Sequence, residues 1–527
     1  MRFQKSLFTL MFVVVSAAVI QGQQPARRAN QRPQPAPAPG TQTPPRNANP
    51  ADAVQQAQTS QPGAENRPEQ RKSDHDQSGV FAATKAPAVS TVLKDQPNEG
   101  SIKGFDFYRD PLGAEKPFTN PADVVKKESE AKPKVMQAQK ELLDSRYNLT
   151  PKLDSEVTMS RGKPIPVGPT AKLKGGATFE KLASMKPAEI RDQGAFPYPS
   201  LPHPLHANGG QVFPKMQIAM FPRLERFDVE FDLPDAFLPE FPPAIFLVNR
   251  PELGDVSRGQ VVSINNFHEL FKDLLTPVQL DGLRLLLTPL PQEEFNATDD
   301  RKTVQPSLGV SCFDCHVNGH TTGQFHLSPD IRPQERRFRL DTVSLRGMFN
   351  QQIHGSKRSL RSVEDFTEFE QRTAYFNGDP IPAMKKGFVE IPRVLIPHMA
   401  QFQNMLDFPP APKLTLTGRL NRSLASDSEL RGEELFFGKA QCAVCHPAPF
   451  YLDDKMHDLR LERFLKDEPG DGPIKAFTLR GIKDSPPYMH NGRCLTLEDT
   501  VEFFNLVLET QLTKEEKKDL VAFLRCL

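Results

Sequence analysis

Four of the six cysteines in this 527-residue chain occur in two short motifs, and each motif ends in a histidine. Given the Cys and His content, roughly 0.002 copies of Cys-x-x-Cys-His are expected by chance, so two copies indicate a function. The spacing is that of c-type haem attachment: two thiols on one helical turn add to the haem vinyl groups, and the next residue offers its imidazole to the iron. The motifs are Cys312-Phe-Asp-Cys315-His316 and Cys442-Ala-Val-Cys445-His446. The sequence therefore predicts two covalently bound haem c groups, with both histidines as iron ligands.

Other uses of paired cysteines fit these motifs less well. A zinc site would not need a histidine directly after each pair. A thioredoxin-like redox pair is expected beside a βαβ pattern, which neither motif has. The two remaining cysteines, Cys494 and Cys526, either form a disulfide in an oxidising compartment or are free buried thiols.

The two motifs belong to a longer internal repeat. Three segments of the first copy match the second at one constant offset, and the two haem motifs are separated by nearly the same offset. A capping residue, Ser362 or Thr496, precedes the acidic segment in each copy and predicts a helix start. The sequence therefore predicts a duplicated cytochrome domain. The matched pairs are Leu345-Arg346-Gly347 with Leu479-Arg480-Gly481, Glu364-Asp365 with Glu498-Asp499, and Glu368-Phe369 with Glu502-Phe503.

Helix signals dominate the chain after about residue 265. Capping boxes begin at Thr276, Ser426 and Thr513, each with Gln or Glu three residues later, and Gly438 is placed to end the second of these helices. We expect a mainly α fold with two tandem c-type cytochrome domains, at 261–420 and 421–527. An irregular proline-rich region with extended segments precedes them.

The N-terminal part is typical of an export signal followed by a spacer. A short basic start and an apolar stretch from Leu7 to Ile20 predict a signal peptide over 1–22, and hence a periplasmic protein. Between Gln23 and Gly79, Val54 is the only Val, Ile, Leu, Met, Phe or Tyr, so 23–80 is predicted to be a disordered linker. In 81–260 the prolines argue against long helices and central strands.

Net charge excludes one class of partner. The chain has 66 Lys and Arg against 65 Asp and Glu, which leaves a formal charge of +1. A protein that binds nucleic acid needs a positive excess to neutralise phosphates, so nucleic acid is not an expected partner.

The C-terminal part contains the segments Ala476-Phe-Thr-Leu-Arg-Gly481, Pro487-Tyr-Met-His-Asn-Gly492 and Thr496-Leu-Glu-Asp499. In these segments it resembles bacterial di-haem cytochrome c peroxidases and their methylamine-dehydrogenase-maturing relatives. The resemblance covers about residues 300–527. It implies a periplasmic enzyme whose N-terminal haem meets hydrogen peroxide and whose C-terminal haem relays electrons from a small donor, such as a mono-haem cytochrome or a cupredoxin. It also implies calcium between the domains in many members.

The sequence departs from this family at the second haem. The family supplies a Met or Tyr ligand one helical turn after the Thr-Leu-Glu segment, where this chain has Phe504. Phenylalanine has no lone pair to offer iron. Met489 and His490 are chemically able to bind, and a similar Tyr-x-His-Asn-Gly loop in rubber-oxygenase-like di-haem proteins suggests the histidine. An iron without a sixth protein ligand is the third alternative.

At the first haem, Glu370 occupies the position that matches Phe504, and Glu368 lies on the same predicted helix. Both are candidate catalytic acid/base groups, with a solvated helix face as the alternative. His320 and His326 are candidate distal ligands. The chain has no Trp, so electron transfer between the haems would be direct or use Tyr375.

Three functions remain open on this sequence. The first is a peroxidase-like oxidoreductase that reduces hydrogen peroxide. The second is a non-catalytic di-haem electron carrier, which requires six-coordinate iron at both sites. The third is a relative that oxidises a protein side chain or an organic substrate, with the long N-terminal region as the binding surface. A homodimer is a further expectation.

Overall fold

The computed structural model describes residues 121–202, 212–225, 230–292, 307–326, 338–371, 391–466 and 470–527. All of them belong to one compact unit, Pro87–Leu527. The predicted signal peptide (1–22) and linker (23–80) lie outside the described residues, as does Tyr375. Among the described helices, none is long and apolar enough to cross a membrane.

Helices make up most of the regular structure in these ranges, which confirms the predicted mainly α character. The strands are short and form four separate antiparallel pairs. The tandem arrangement of two domains and their boundaries stay predictions. The helices are α1 (Pro121–Arg146), α2 (Phe179–Ala183), α3 (Pro187–Asp192), α4 (Lys215–Met220), α5 (Phe267–Phe271), α6 (Pro277–Leu287), α7 (Cys312–Cys315), α8 (Val363–Glu370), α9 (Ile396–Gln403), α10 (Asp427–Phe437), α11 (Leu497–Val507) and α12 (Lys514–Leu524). The strand pairs are β1 (Lys152–Thr158) with β2 (Pro164–Val167), β3 (Leu290–Gln292) with β4 (Ser307–Val310), β5 (Phe325–His326) with β6 (Leu340–Asp341), and β7 (Met456–Asp458) with β8 (Pro473–Lys475).

The prediction for residues 81–260 is wrong in one respect, because the region contains a long helix. Helix α1 has 26 residues and continues through Pro133. Pro121 stands at its first position, where the missing amide hydrogen is not needed. Most of the other prolines of the region lie after residue 150, so the average proline content concealed a helix-forming stretch. The expected extended segments are present as the β1–β2 hairpin.

The three predicted capping boxes form. Thr276, Ser426 and Thr513 each accept a hydrogen bond from the amide three residues later, and the Gln or Glu at that position bonds back to the cap amide. Gly438 ends α10, as predicted. Local sequence therefore sets where these helices begin.

Two apolar cores surround the two cysteine motifs. The first core joins side chains from 213–287 with others from 310–406, and Cys312 and Cys315 pack against it. The second joins side chains from 182–198 with others from 420–527, and Cys442 packs against it. The chain before residue 260 is therefore part of both cores.

The repeated Leu-Arg-Gly segments share a backbone conformation. Gly347 has φ 77° and ψ 20°, Gly481 has φ 73° and ψ 18°, and each begins a short 3-10 turn. An added Cβ would lie 2.1 Å from Phe408 at the first glycine and 2.7 Å from Pro409 at the second. Only glycine fits these positions, because both the positive φ and the close neighbour exclude a side chain.

Candidate haem-binding sites

The first Cys-x-x-Cys-His motif is one capped helical turn. Ser311 caps α7, and its amide donates to the carboxylate of Asp314 at 2.6 Å. The amide of His316 donates to the carbonyl of Cys312 at 2.9 Å. Both thiols and the imidazole are thereby held on a single turn, as haem attachment requires.

Residues from before 260 hold this turn in place. Arg223 donates to both carboxylate oxygens of Asp314, at 2.7 and 2.8 Å, in a largely buried ion pair. The side chain of Gln217, fully buried on α4, donates to the carbonyl of Asp314 and accepts from Thr322 at 3.1 Å. The first motif is therefore anchored from a distant part of the chain.

The second motif forms a similar turn without an aspartate anchor. Residues Cys442–Val444 form a 3-10 turn that begins after Gln441, whose φ is 59°. The amide of His446 donates to the carbonyl of Cys442 at 3.0 Å, which repeats the bond of the first motif. The two motifs thus present their thiols and imidazoles in the same local pattern.

The two motif histidines make the same type of hydrogen bond. Nδ1 of His316 lies 2.8 Å from the carbonyl oxygen of Val343, and Nδ1 of His446 lies 2.8 Å from that of Tyr451. A carbonyl only accepts, so Nδ1 carries the hydrogen and Nε2 keeps its lone pair. Burial lowers the pKa of His316 to about 4 and also lowers the pKa of His446. Both imidazoles are therefore neutral at pH 7, and this tautomer suits Nε2 ligation of haem iron.

A cavity of about 310 Å³ adjoins the second motif. Its wall includes Cys442, Cys445 and His446, together with Phe504 from α11. Side chains of the first repeat, including Arg346, complete the wall. The thiols, the neutral imidazole and the mainly apolar enclosure fit a covalently attached haem at this place.

Both candidate sixth ligands of the second haem line this cavity. Met489 has φ 69°, and His490 is 9% exposed with its Nε2 4.0 Å from Asp471. Phe504 lines the same cavity, so the helix position where the family places a ligand carries an apolar ring here. The structure therefore brings the three residues singled out in the sequence to one site.

The loop of Met489 and His490 is fixed by a buried arginine that the sequence did not reveal. Arg493 is fully buried and donates to both oxygens of Asp471 at 2.8 Å and to Ser200 Oγ at 2.7 Å. Burial alone would raise the pKa of Asp471, but Arg493, His490 and Lys357 together lower it to about 2. These partners are distant in sequence, so no local pattern marks Arg493.

Of the two glutamates predicted as acid/base groups, Glu370 has an electrostatic effect on the first motif. Its charge contributes, after burial, to raising the pKa of the Cys315 thiol, which places the carboxylate close to that motif. Glu368 instead forms an ion pair with the exposed Arg393 at 2.7 Å. The roles of both stay predictions.

Unlike an iron ligand, which keeps one ring nitrogen free for the metal, His320 has polar contacts at both ring nitrogens. Its Nδ1 lies 2.8 Å from Ser344 Oγ and its Nε2 lies 3.0 Å from the carbonyl oxygen of Asp484. Both ring nitrogens are therefore occupied, and the contact with Asp484 joins the two repeats. The side chain of His326 lies outside the described residues.

The remaining predicted features are resolved only in part. Cys494 and Cys526 are free thiols, so the disulfide alternative is not found in the structure. In the described ranges, no three His, Cys, Asp or Glu side chains form a group able to hold a metal ion, and the calcium stays a prediction.

Sequence relatives confirm the resemblance to di-haem cytochrome c peroxidases and MauG at low identity. The chain is 28% identical to cytochrome-c peroxidase IdrP1 of Denitromonas iodatirespirans, over 20% of this chain and 42% of that protein. It is 32% identical to methylamine utilization protein MauG of Methylorubrum extorquens, over 18% of this chain and 33% of that protein. The matches therefore span less than half of either relative. No family model matches the chain.

Two solved structures align with about half of the chain. A MauG-like protein associated with microbial copper homeostasis is 17% identical, with a TM-score of 0.33 over 49% of this chain and 90% of that one. Hydrazine synthase of Kuenenia stuttgartiensis is 19% identical, with a TM-score of 0.30 over 51% of this chain and 94% of that one. TM-scores of this size do not establish a shared fold.

Replacing Arg493 tests how firmly the ligand loop is held. Arg493→Met leaves the Asp471 carboxylate buried without its cation, and we expect a loss of about 3–5 kcal/mol in the free energy of unfolding. The absorption spectrum of the second haem should also change, because the loop of Met489 and His490 is released. Arg250→Met, which removes an exposed pair with Glu252, is the control and should leave the free energy of unfolding almost unchanged. Equal losses in denaturant titrations of the two variants would contradict this account.

Proposed function

We propose that the chain is a periplasmic di-haem c-type cytochrome that reduces hydrogen peroxide with electrons from a small donor, such as a mono-haem cytochrome or a cupredoxin. The observation that carries the proposal is the pair of equivalent histidines, each following two cysteines and each with Nδ1 bonded to a carbonyl. The peroxidases among the sequence relatives support hydrogen peroxide as the substrate.

Two haems in one chain match the stoichiometry of the reaction. Reduction of one hydrogen peroxide to two waters consumes two electrons and two protons. Each haem, when bound, supplies one-electron redox chemistry at its iron. The task left to the protein is to hold the histidines, admit peroxide and move the protons.

Glu370 is our candidate for the proton transfer at the first site. It ends α8 close to Cys315, and its carboxylate is proposed to take a proton from one peroxide oxygen and return it to the other, which leaves as water. Glu368 is the second candidate, but its carboxylate is already engaged in an ion pair with Arg393, which makes it the weaker one.

At the second site we propose His490 as the sixth iron ligand, with Met489 as the alternative. Both line the cavity that also contains His446, while Phe504 removes the ligand usual in the family. A six-coordinate second haem would exchange electrons without offering peroxide a free position, which suits an electron relay.

Haem content is the first test of the proposal. Mass spectrometry of mature protein should show two haem additions per chain, and Cys442→Ala with Cys445→Ala should leave one. Thioether attachment survives denaturation, so haem should stay with the polypeptide on a denaturing gel. Fewer than two additions under full maturation would refute the di-haem assignment.

The ligand loop is tested by spectroscopy. We expect His490→Ala to change the absorption and EPR spectra of the second haem, because the iron loses a nitrogen ligand. Met489→Ala on the same loop is the matched variant and should leave the ligand signature in place. If neither substitution alters the spectra, the loop supplies no ligand to this haem.

Peroxide turnover tests the role of Glu370. Glu370→Gln should lower kcat by about 10²- to 10⁴-fold, because it removes the proton-transfer group and keeps the size of the side chain. Glu364→Gln, on the same helix, is the control and should keep wild-type turnover. Steady-state assays with hydrogen peroxide and a reduced cytochrome donor give both rates. A wild type that is inert to peroxide when half-reduced would instead indicate an electron carrier.

A further inference from the structure

Lys475 is a buried cation in the wall of the cavity at the second motif. It ends β8, is 3% exposed and lines the cavity together with Cys442 and His446. Its aliphatic stem suits an apolar wall, but its ammonium group has lost most of its contact with water.

Among the buried cations of the described residues, Lys475 differs from the others in having no carboxylate partner. The other four are all paired with a carboxylate, whereas no Asp or Glu of the described ranges forms an ion pair with Lys475. Leaving a charge buried without a partner is strongly unfavourable, so this position favours the binding of an anion. The paired cations are Arg339 with Asp232, Arg346 with Asp484, Arg493 with Asp471 and Lys517 with Glu502.

The ammonium group is nevertheless held firmly. Nζ donates to the side-chain oxygen of Gln351 and lies 4.7 Å from the ring centre of Phe477. The amide of Lys475 donates to the carbonyl of Ser356 at 3.0 Å. Gln351 and Ser356 belong to the first repeat, so contacts from both repeats fix the cation beside the cavity.

Electrostatics agree with an anion at this position. Burial lowers the pKa of Lys475 to about 8, and the charge of Asp454 offsets this only in part. An anion placed in the cavity would raise this pKa again, because it stabilises the charged form. The haem attached at this motif carries two propionate carboxylates, and a carboxylate is the group that a buried ammonium pairs with best.

We propose that Lys475 binds a propionate of the haem attached at Cys442 and Cys445 and thereby raises the reduction potential of that haem. The inference rests on the haem placement of the proposed function and is independent of the peroxide chemistry. A fixed positive charge favours the ferrous state, because reduction adds an electron to the same region. Lys475 is therefore a positioning residue that also tunes the potential of the second haem.

The test compares the midpoint potentials of the two haems in Lys475→Met, Lys475→Arg and wild-type protein. All three are first checked by mass spectrometry for two haems per chain. Spectroelectrochemical titration should show a more negative potential for the second haem in Lys475→Met, an unchanged first haem, and recovery in Lys475→Arg. The propionate bands in the resonance Raman spectrum should shift in Lys475→Met and return in Lys475→Arg.

Lys455→Met is the matched control, because it removes an exposed lysine directly before β7 of the same hairpin. A shift as large in this control as in Lys475→Met would overturn the propionate contact in favour of a general charge effect. An unchanged potential and unchanged Raman bands in Lys475→Met would overturn the inference while the two haem additions still support the proposed function. If Lys475→Met fails to fold, Lys475→Gln gives the same comparison. Absence of haem at Cys442 and Cys445 would overturn both.

Discussion

The hydrogen bond from Nδ1 of each motif histidine to a backbone carbonyl is the contact on which both sites depend. It selects the tautomer and leaves the Nε2 lone pair available to a haem iron. His316 uses the carbonyl of Val343, which lies just before the first Leu-Arg-Gly turn. His446 uses that of Tyr451, and the carbonyl of Phe477, the residue that matches Val343 in the second repeat, also acts on its ring. In both repeats, therefore, the carbonyl two residues before the Leu-Arg-Gly segment acts on the ring of the motif histidine.

Residues before 260 stabilise both sites through ion pairs and hydrogen bonds. At the first motif, Arg223 pairs with Asp314. At the second, Thr170 and Tyr198 donate to Asp499 at 2.6–3.1 Å. These are charge-assisted hydrogen bonds in buried surroundings, which are stronger than exposed ones. The geometry of the haem motifs therefore depends on a segment far away in sequence.

The helix starts and the haem motifs could be predicted from local sequence signals. The long-range contacts could not be predicted in this way. The caps of α6, α10 and α12 are set by residues three apart, so the sequence alone identifies them. The partners Arg493 and Ser200 are 293 residues apart, and no short pattern relates them. The burial of Lys475 could not be predicted from the sequence either, because lysines are mostly surface residues. Helix α1 was missed because the proline content averaged over the whole of 81–260 masked a segment with few prolines.

The two copies of the repeat have diverged at matched positions, and this divergence makes the sites chemically different. Asp365 and Asp499 both lie in the first turn of a helix, but Asp365 is exposed whereas Asp499 is fully buried. Burial raises the pKa of Asp499 despite the hydrogen bonds that Thr170 and Tyr198 donate to it. Keeping this carboxylate buried and charged therefore has an electrostatic cost. Five positions after each aspartate, α8 carries Glu370 and α11 carries Phe504. The same helix position thus carries a carboxylate in one copy and, in the other, an apolar ring that lines the cavity, and our proposal of one proton-transfer site and one electron-relay site rests on this difference.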